Sequence, residues 1–280
     1  MSSGKVDSGR QYHKSCTGDA LVTAKAHESP QDITFFGACF CPFVQRVWVA
    51  LEFLEIPYSY YEVDPYQKPA ELLEVSPKGL VPGLRLNHFD PPRGLNESTV
   101  LLEYLEDLAA NNSRKSLLPP KINSYARALV RLQCDFVNRT LVPAFYRYLQ
   151  AQDEDAITSG AKEFVEALHG LTSLLQRAEK EAGGASACGL WKEGGELSLT
   201  DVIAGPWLFR ATNVLKHYRA FELPQSAQFG AWLNRLFAHP NFKSTCSTED
   251  LYLDSYERYA FNRPNTSQVA NGINSGRGLP

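Results

Sequence analysis

The sequence predicts an α/β layer domain followed by an all-α helical bundle. Two observations carry this. Between Ile33 and about Asn111, short apolar runs alternate with stretches of helical period, and after Leu117-Leu118-Pro119-Pro120 the strand signals largely stop. The order of elements in the first part is strand, helix, strand, helix, strand, strand, helix.

Each element has its own signal. Ile33-Thr34-Phe35-Phe36 is a short apolar run that fits a buried strand. Residues 42–54 place Val44, Val47, Trp48, Leu51 and Leu54 on one helical face, behind a proline suited to the first turn. Tyr58 to Val63 is rich in β-formers, and Pro69 to Val75 fits a short helix. Gly83-Leu84-Arg85-Leu86 starts another strand, and Asp90-Pro91-Pro92-Arg93-Gly94 marks a turn. Ser98 to Leu108 repeats Val100, Leu101, Tyr104, Leu105 and Leu108 at helical spacing.

Beyond the prolines, residues 122–150 and 153–182 have helical period, and Gly183-Gly184-Ala185 breaks the second stretch. Further helices fit near Asp201, from Gln225 to Ala238 and from Thr248 to Tyr259. The expected organisation is a flexible polar arm over 1–30, the α/β domain over 31–112, a linker over 113–121, a helical domain over 122–261 and a disordered tail over 262–280.

Bulk properties exclude several classes. The net charge of −3 provides no clustered basic face, so no nucleic-acid partner is expected. No run of 18 apolar residues is present, so no membrane span is expected. The first residues lack an apolar core and an Arg-rich amphipathic pattern, which makes the cytosol the expected compartment. Cysteines 16, 39, 41, 134, 188 and 246 are too scattered for a disulfide framework and too poorly spaced for a metal site.

The sharpest local feature is Cys39-Phe40-Cys41-Pro42-Phe43-Val44-Gln45-Arg46, between a strand and a helix. Pro42 at the first helical position puts Cys41 at or beside the N-cap. There, unpaired amides and the helix dipole favour a thiolate and can bring a cysteine from about 8.5 to roughly 3.5–7.5. The other reading of Cys41 is a small buried core residue. Cys-Pro-Phe in this setting resembles the active site of thioredoxin-fold proteins, glutaredoxins in particular. Val44 stands where a second cysteine of a Cys-x-x-Cys pair would be, which leaves a monothiol cycle resolved by a second, soluble thiol. Cys39 lies near the geometric limit for a resolving role, and buried packing is its other reading.

Gly79-Leu80-Val81-Pro82-Gly83-Leu84 precedes a strand. In the thioredoxin fold a cis-proline at this place presents the preceding residue, here Val81, for strand-like pairing with a peptide. Asn96-Glu97-Ser98-Thr99 opens a helix: Ser98 suits a carboxylate through the helix end, and Glu97 suits an ammonium group. Taken alone, Ser98 reads as a plain N-cap. Cys-Pro-Phe, Leu-Val-Pro and Glu-Ser, in this order, resemble a glutathione transferase of the omega class, of fungal type.

The resemblance runs from about Ile33 to Tyr259, and Leu197-Ser198-Leu199-Thr200-Asp201 fits it as a structural capping box. It implies a thioredoxin-like glutathione-binding domain, an all-helical second-substrate domain and a homodimer. It implies Cys41 as catalytic residue; Phe43, Lys68, Val81, Pro82, Glu97 and Ser98 as glutathione contacts; and glutathione as co-substrate beside a mixed-disulfide or electrophilic substrate. Lys68 would meet the glycyl carboxylate, although lysines are usually solvated surface charges. Trp207 and Arg210 are the expected wall of the second-substrate site. The long polar arm, the stretch from Asn87 to Leu95 and the Gly/Asn-rich tail depart from the family pattern. The implied activity is thiol transfer or reduction, including deglutathionylation and dehydroascorbate reduction, in detoxification or secondary metabolism. The competing readings are glutathione conjugation and a non-enzymatic ligand carrier, related to the chloride intracellular channel proteins.

Overall fold

The computed structural model describes residues 12–64, 66–112, 115–182, 187–224, 226–277 and 279. Its first part is a four-stranded mixed sheet. The strands are β1 (Ile33–Gly37), β2 (Ser59–Glu62), β3 (Gly83–Leu86) and β4 (Arg93–Asn96), in spatial order β2-β1-β3-β4. β1 pairs parallel to β2, through a crossover that contains helix α2 (Pro42–Leu54). It pairs antiparallel to β3, with Phe35 opposite Leu84, and β3 pairs antiparallel to β4.

Alternation along β1 separates two layers. Ile33 and Phe35 join Leu84, Leu86 and the apolar face of α2 in the main core. Phe36 turns the other way, against Val63 and against Leu72 and Val75 of α3 (Ala70–Val75). Helix α4 (Ser98–Asn112) packs beside α2. This is the thioredoxin-like arrangement.

The second part is helical. Helix α5 (Ser124–Phe136) passes through one wider π-type turn (Val137–Leu141) into α6 (Val142–Gln150), and α7 (Glu154–Ala182) returns against both. The wide turn lies just before Pro143, whose missing N–H cannot complete a regular turn there. Helix α8 (Leu199–Arg210) is mostly apolar, and all of its residues but Phe209 are buried, as a central helix requires. The capping box at its start is complete: Ser198 Oγ accepts from Asp201 N at 3.3 Å, and the Asp201 carboxylate accepts from Ser198 N at 2.8 Å. Asp201 also accepts from Trp232 Nε1 at 2.7 Å and from Leu190 N at 3.0 Å, which ties α8 to α10 (Ala227–Ala238) and to the preceding loop. Gly189, at φ +54, lies so close that a Cβ there would fall 2.1 Å from an Asp201 oxygen.

The structure corrects the two expected tails. Residues 1–11 and the Gly183-Gly184-Ala185 break lie outside the described residues. From residue 12 the expected arm is packed: Cys16 is buried, and α1 (Gly18–Ala26) lays Ala20, Thr23 and Ala24 on the protein. Cys16 N donates to Glu62 at 2.9 Å, and Thr23 Oγ1 donates to Ser244 O at 2.7 Å. The expected disordered tail contains α13 (Gln268–Asn274), with Ala270 and Ile273 buried and a Gln150–Asn274 hydrogen bond of 3.0 Å to α6. Among the described residues, no helix is long and apolar enough to cross a membrane.

Candidate active site

Helix α2 is the element on which the site is built. It lies between α4 on one side and α8 on the other, so 11 of its 13 residues are buried. Cys41 occupies its N-cap in an extended conformation (φ −72°, ψ 121°), and Pro42 takes the first helical position. The preceding turn is closed by Cys41 N donating to Ala38 O at 3.0 Å. Cys41 Sγ lies 4.0 Å from the carbonyl oxygen of Val81, across the cis Val81–Pro82 bond at the entry to β3.

The electrostatics of Cys41 differ from the sequence expectation. Burial pushes the thiol up. The backbone amides of Val44 and Phe43 and the guanidiniums of Arg210 and Arg46 all pull it down, and burial outweighs them. The helix end therefore supplies its donors as expected, but desolvation of the half-buried sulfur outweighs them and the neutral thiol is the favoured form. Cys39 is no resolving partner here: it is buried, donates through Sγ to His13 O at 3.4 Å, and desolvation raises its thiol. All six cysteines are free.

A cleft of about 240 Å³ opens beside this centre. Its walls bring together Phe43, Val81, Pro82, Glu97 and Ser98, five of the sequence-identified contacts. Ser98 is buried as the first residue of α4, and Glu97 before it is exposed with φ +69. A left-handed non-glycine residue is uncommon, and this one lies on the cleft wall. Lys68 is exposed, donates to Lys78 O at 3.4 Å and does not line this cleft. A larger groove of about 810 Å³, between Ile56, His88 and Tyr104, contains none of the motif residues. Size alone would favour that groove; the motif residues line the smaller one.

Trp207 and Arg210 correct another expectation. Both are buried, at 0% and 1% exposure, so neither forms an open substrate wall. Trp207 packs edge-on against Phe43, and the Arg46 guanidinium lies 4.2 Å from its ring centroid. Arg210 donates through Nη1 to Gln45 Oε1 and through Nη2 to Phe40 O at 3.2 Å, and stacks 4.1 Å from Tyr252.

Two groups at the cleft were not identified from sequence. Arg46 lines it from α2, although it lies off the apolar stripe of that helix. Val269 and Leu279 line it from the C-terminal segment, where Gln268 Nε2 donates to Lys78 O at 3.2 Å. That carbonyl also accepts from Lys68, so α13 sits beside the expected glycyl subsite.

Comparisons with known proteins agree with this fold. The glutathione S-transferase N-terminal domain model matches residues 35–113. The crystal structure of glutathione transferase Omega 3C from Trametes versicolor superposes with a TM-score of 0.74 at 32% identity, over 89% of this chain and 98% of that one. Glutathione S-transferase U2 of Arabidopsis thaliana is 32% identical over 183 residues, 65% of this chain and 71% of that protein. A dehydroascorbate reductase from Chlamydomonas reinhardtii superposes with a TM-score of 0.60 at 26% identity, over 82% of this chain and all (100%) of that one. With a thioredoxin-like sheet, a cysteine at a helix start and this likeness along nearly its whole length, the chain belongs to the glutathione S-transferase family.

Proposed function

We propose that the protein is a glutathione-dependent thiol transferase whose nucleophile is Cys41. The observation that carries this reading is the placing of a cysteine sulfur, not a hydroxyl, at the N-cap of α2, 4.0 Å from the Val81 carbonyl. The Cys41 thiolate attacks the glutathionyl sulfur of a mixed disulfide. The S–S bond breaks, the other thiolate leaves and takes up a proton, and Cys41 holds glutathione as a new disulfide. A second glutathione thiolate attacks that bond, releases oxidised glutathione and restores Cys41. From an S-activated conjugate, the same attack displaces the carbon group, which leaves with the electron pair and is protonated. Because Cys39 is turned to His13, the second thiol comes from solution.

In this reading the backbone of Val81 pairs with the cysteinyl residue, Glu97 meets the ammonium group, and Ser98 with the α4 start meets the γ-glutamyl carboxylate. Lys68 leaves the Lys78 carbonyl for the glycyl carboxylate. Likeness to the Omega 3C transferase and to the dehydroascorbate reductase supports a reductive activity, with dehydroascorbate among the acceptors. Six free cysteines suit the cytosol. A homodimer is part of the proposal. Val100 on α4 and Tyr125 and Leu132, seven residues apart on α5, are 51%, 50% and 42% exposed, beside the Arg131–Glu103 ion pair that joins the two helices.

The test measures turnover with hydroxyethyl disulfide and with a chloronitrobenzene side by side. Disulfide turnover well above conjugation supports the proposal. The reverse ratio favours a conjugating transferase, and saturable ligand binding without either turnover favours a carrier.

A further inference from the structure

We propose that Arg46 is a positioning residue that turns the Ser98 hydroxyl outward to the α-carboxylate of the bound ligand. The inference rests on the glutathione reading above and adds a residue to it.

Arg46 is 1% exposed, and a cation removed from water is normally held by a carboxylate. Among the described residues none is paired with it. Its Nε donates to Ile203 O on α8 at 3.0 Å, its Nη1 lies 3.4 Å from Ser98 Oγ, and its plane covers the Trp207 ring. Nη2 is sealed from solvent and has no hydrogen-bond partner. The positive charge is therefore held by one carbonyl, one hydroxyl and an aromatic face, directly beneath the cleft that Ser98 lines.

The consequence lies in the hydroxyl. A guanidinium only donates, so Ser98 Oγ accepts from Arg46, and its own hydrogen must point elsewhere. The open direction is the cleft, where Glu97 and Thr99 also lie. Ser98 thus presents an O–H donor beside the first amides of α4, with a fixed cation behind it in a region of low dielectric. A carboxylate is the group that such an arrangement receives. Arg46, 1% exposed in the cleft wall, acts through Ser98. Burial lowers its guanidinium to about 9, which leaves it charged at neutral pH.

The test compares two ligands on the full chain by titration calorimetry: glutathione, and 4-aminobutyryl-cysteinyl-glycine, which lacks only the α-carboxylate. Arg46→Met is expected to weaken glutathione about tenfold and the analogue less than twofold, with KM for glutathione rising. Ser98→Ala is expected to do the same, and adding Arg46→Met to it to cost little more. Arg46→Lys, which keeps a charge but not the fork, is expected to fall between wild type and Arg46→Met, and it reads the same comparison if the methionine variant does not fold. Equal losses for both ligands, or additive losses in the double variant, overturn the proposal. A wild-type protein that binds no glutathione overturns the functional reading, and this inference with it.

Discussion

The guanidinium of Arg210, at the end of α8, donates through Nη2 to the Phe40 carbonyl at 3.2 Å, one residue before Cys41. The helical domain thus holds the turn that presents the sulfur. Arg210→Ala leaves the Phe40 carbonyl and Gln45 Oε1 without this donor, which costs about 2–3 kcal/mol in urea unfolding. It also removes a charge that favours the Cys41 thiolate. Alkylation of Cys41 at fixed pH is expected to slow, and unchanged stability with unchanged alkylation would contradict this coupling.

Reactivity at Cys41 follows from the direction of its titration. Burial raises the thiol above its ordinary value, and the attacking species is the thiolate. The neutral form prevails below that raised value, so the thiolate fraction grows only as pH climbs past it. Iodoacetamide labelling of Cys41 in the ligand-free protein, mapped by mass spectrometry, is expected to accelerate through pH 9. A plateau reached below pH 7 would show that the helix-end amides outweigh burial after all.

Asp201 is fully buried and accepts from Ser198, Trp232 and Leu190. Asp201→Ala strips four donor groups of their acceptor, the Ser198 hydroxyl among them, and a loss of about 3–4 kcal/mol in urea unfolding is expected, with no direct effect on the cleft. A loss below about 1 kcal/mol would mean that water replaces the carboxylate.

The C-terminal segment borders the cleft through Val269 and Leu279. At about 240 Å³ the cleft lies below the roughly 300–1,000 Å³ usual for ligand pockets. Removing residues 266–280 is expected to speed both association and dissociation of glutathione in stopped-flow fluorescence. Loss of buried Ile273 and Ala270 should lower stability by about 2–3 kcal/mol. Unchanged rates would place the entrance elsewhere.

Much of this was legible from the chain. The sheet and α2 followed from period and punctuation, since Ile33, Phe35 and Phe36 form a short apolar run and Pro42 opens a stripe from Val44 to Leu54. The cleft residues followed from three short motifs. Arg46 did not, because it lies off that stripe and is buried only when α8, some 150 positions later, covers the other face of α2. Helix α1 was illegible for a related reason: its buried face is Ala20, Thr23 and Ala24, with no large apolar side chain to set a period. Helix α13 was illegible because Ala270 and Ile273 are its two buried residues, too few to set a period in a run that otherwise reads as coil. The desolvation of Cys41, which reverses the expected direction of its titration, depends on packing around α2 that no local motif encodes.

The central claim is that the Cys41 sulfur carries glutathione. It is tested most directly by incubating wild type and Cys41→Ser with hydroxyethyl disulfide and glutathione, following turnover and recording intact mass. The account predicts a glutathione adduct on Cys41 in the wild type, and in the variant no such adduct and turnover lower by about a thousandfold. A serine variant that retains wild-type turnover, or an adduct found on another cysteine, would contradict it.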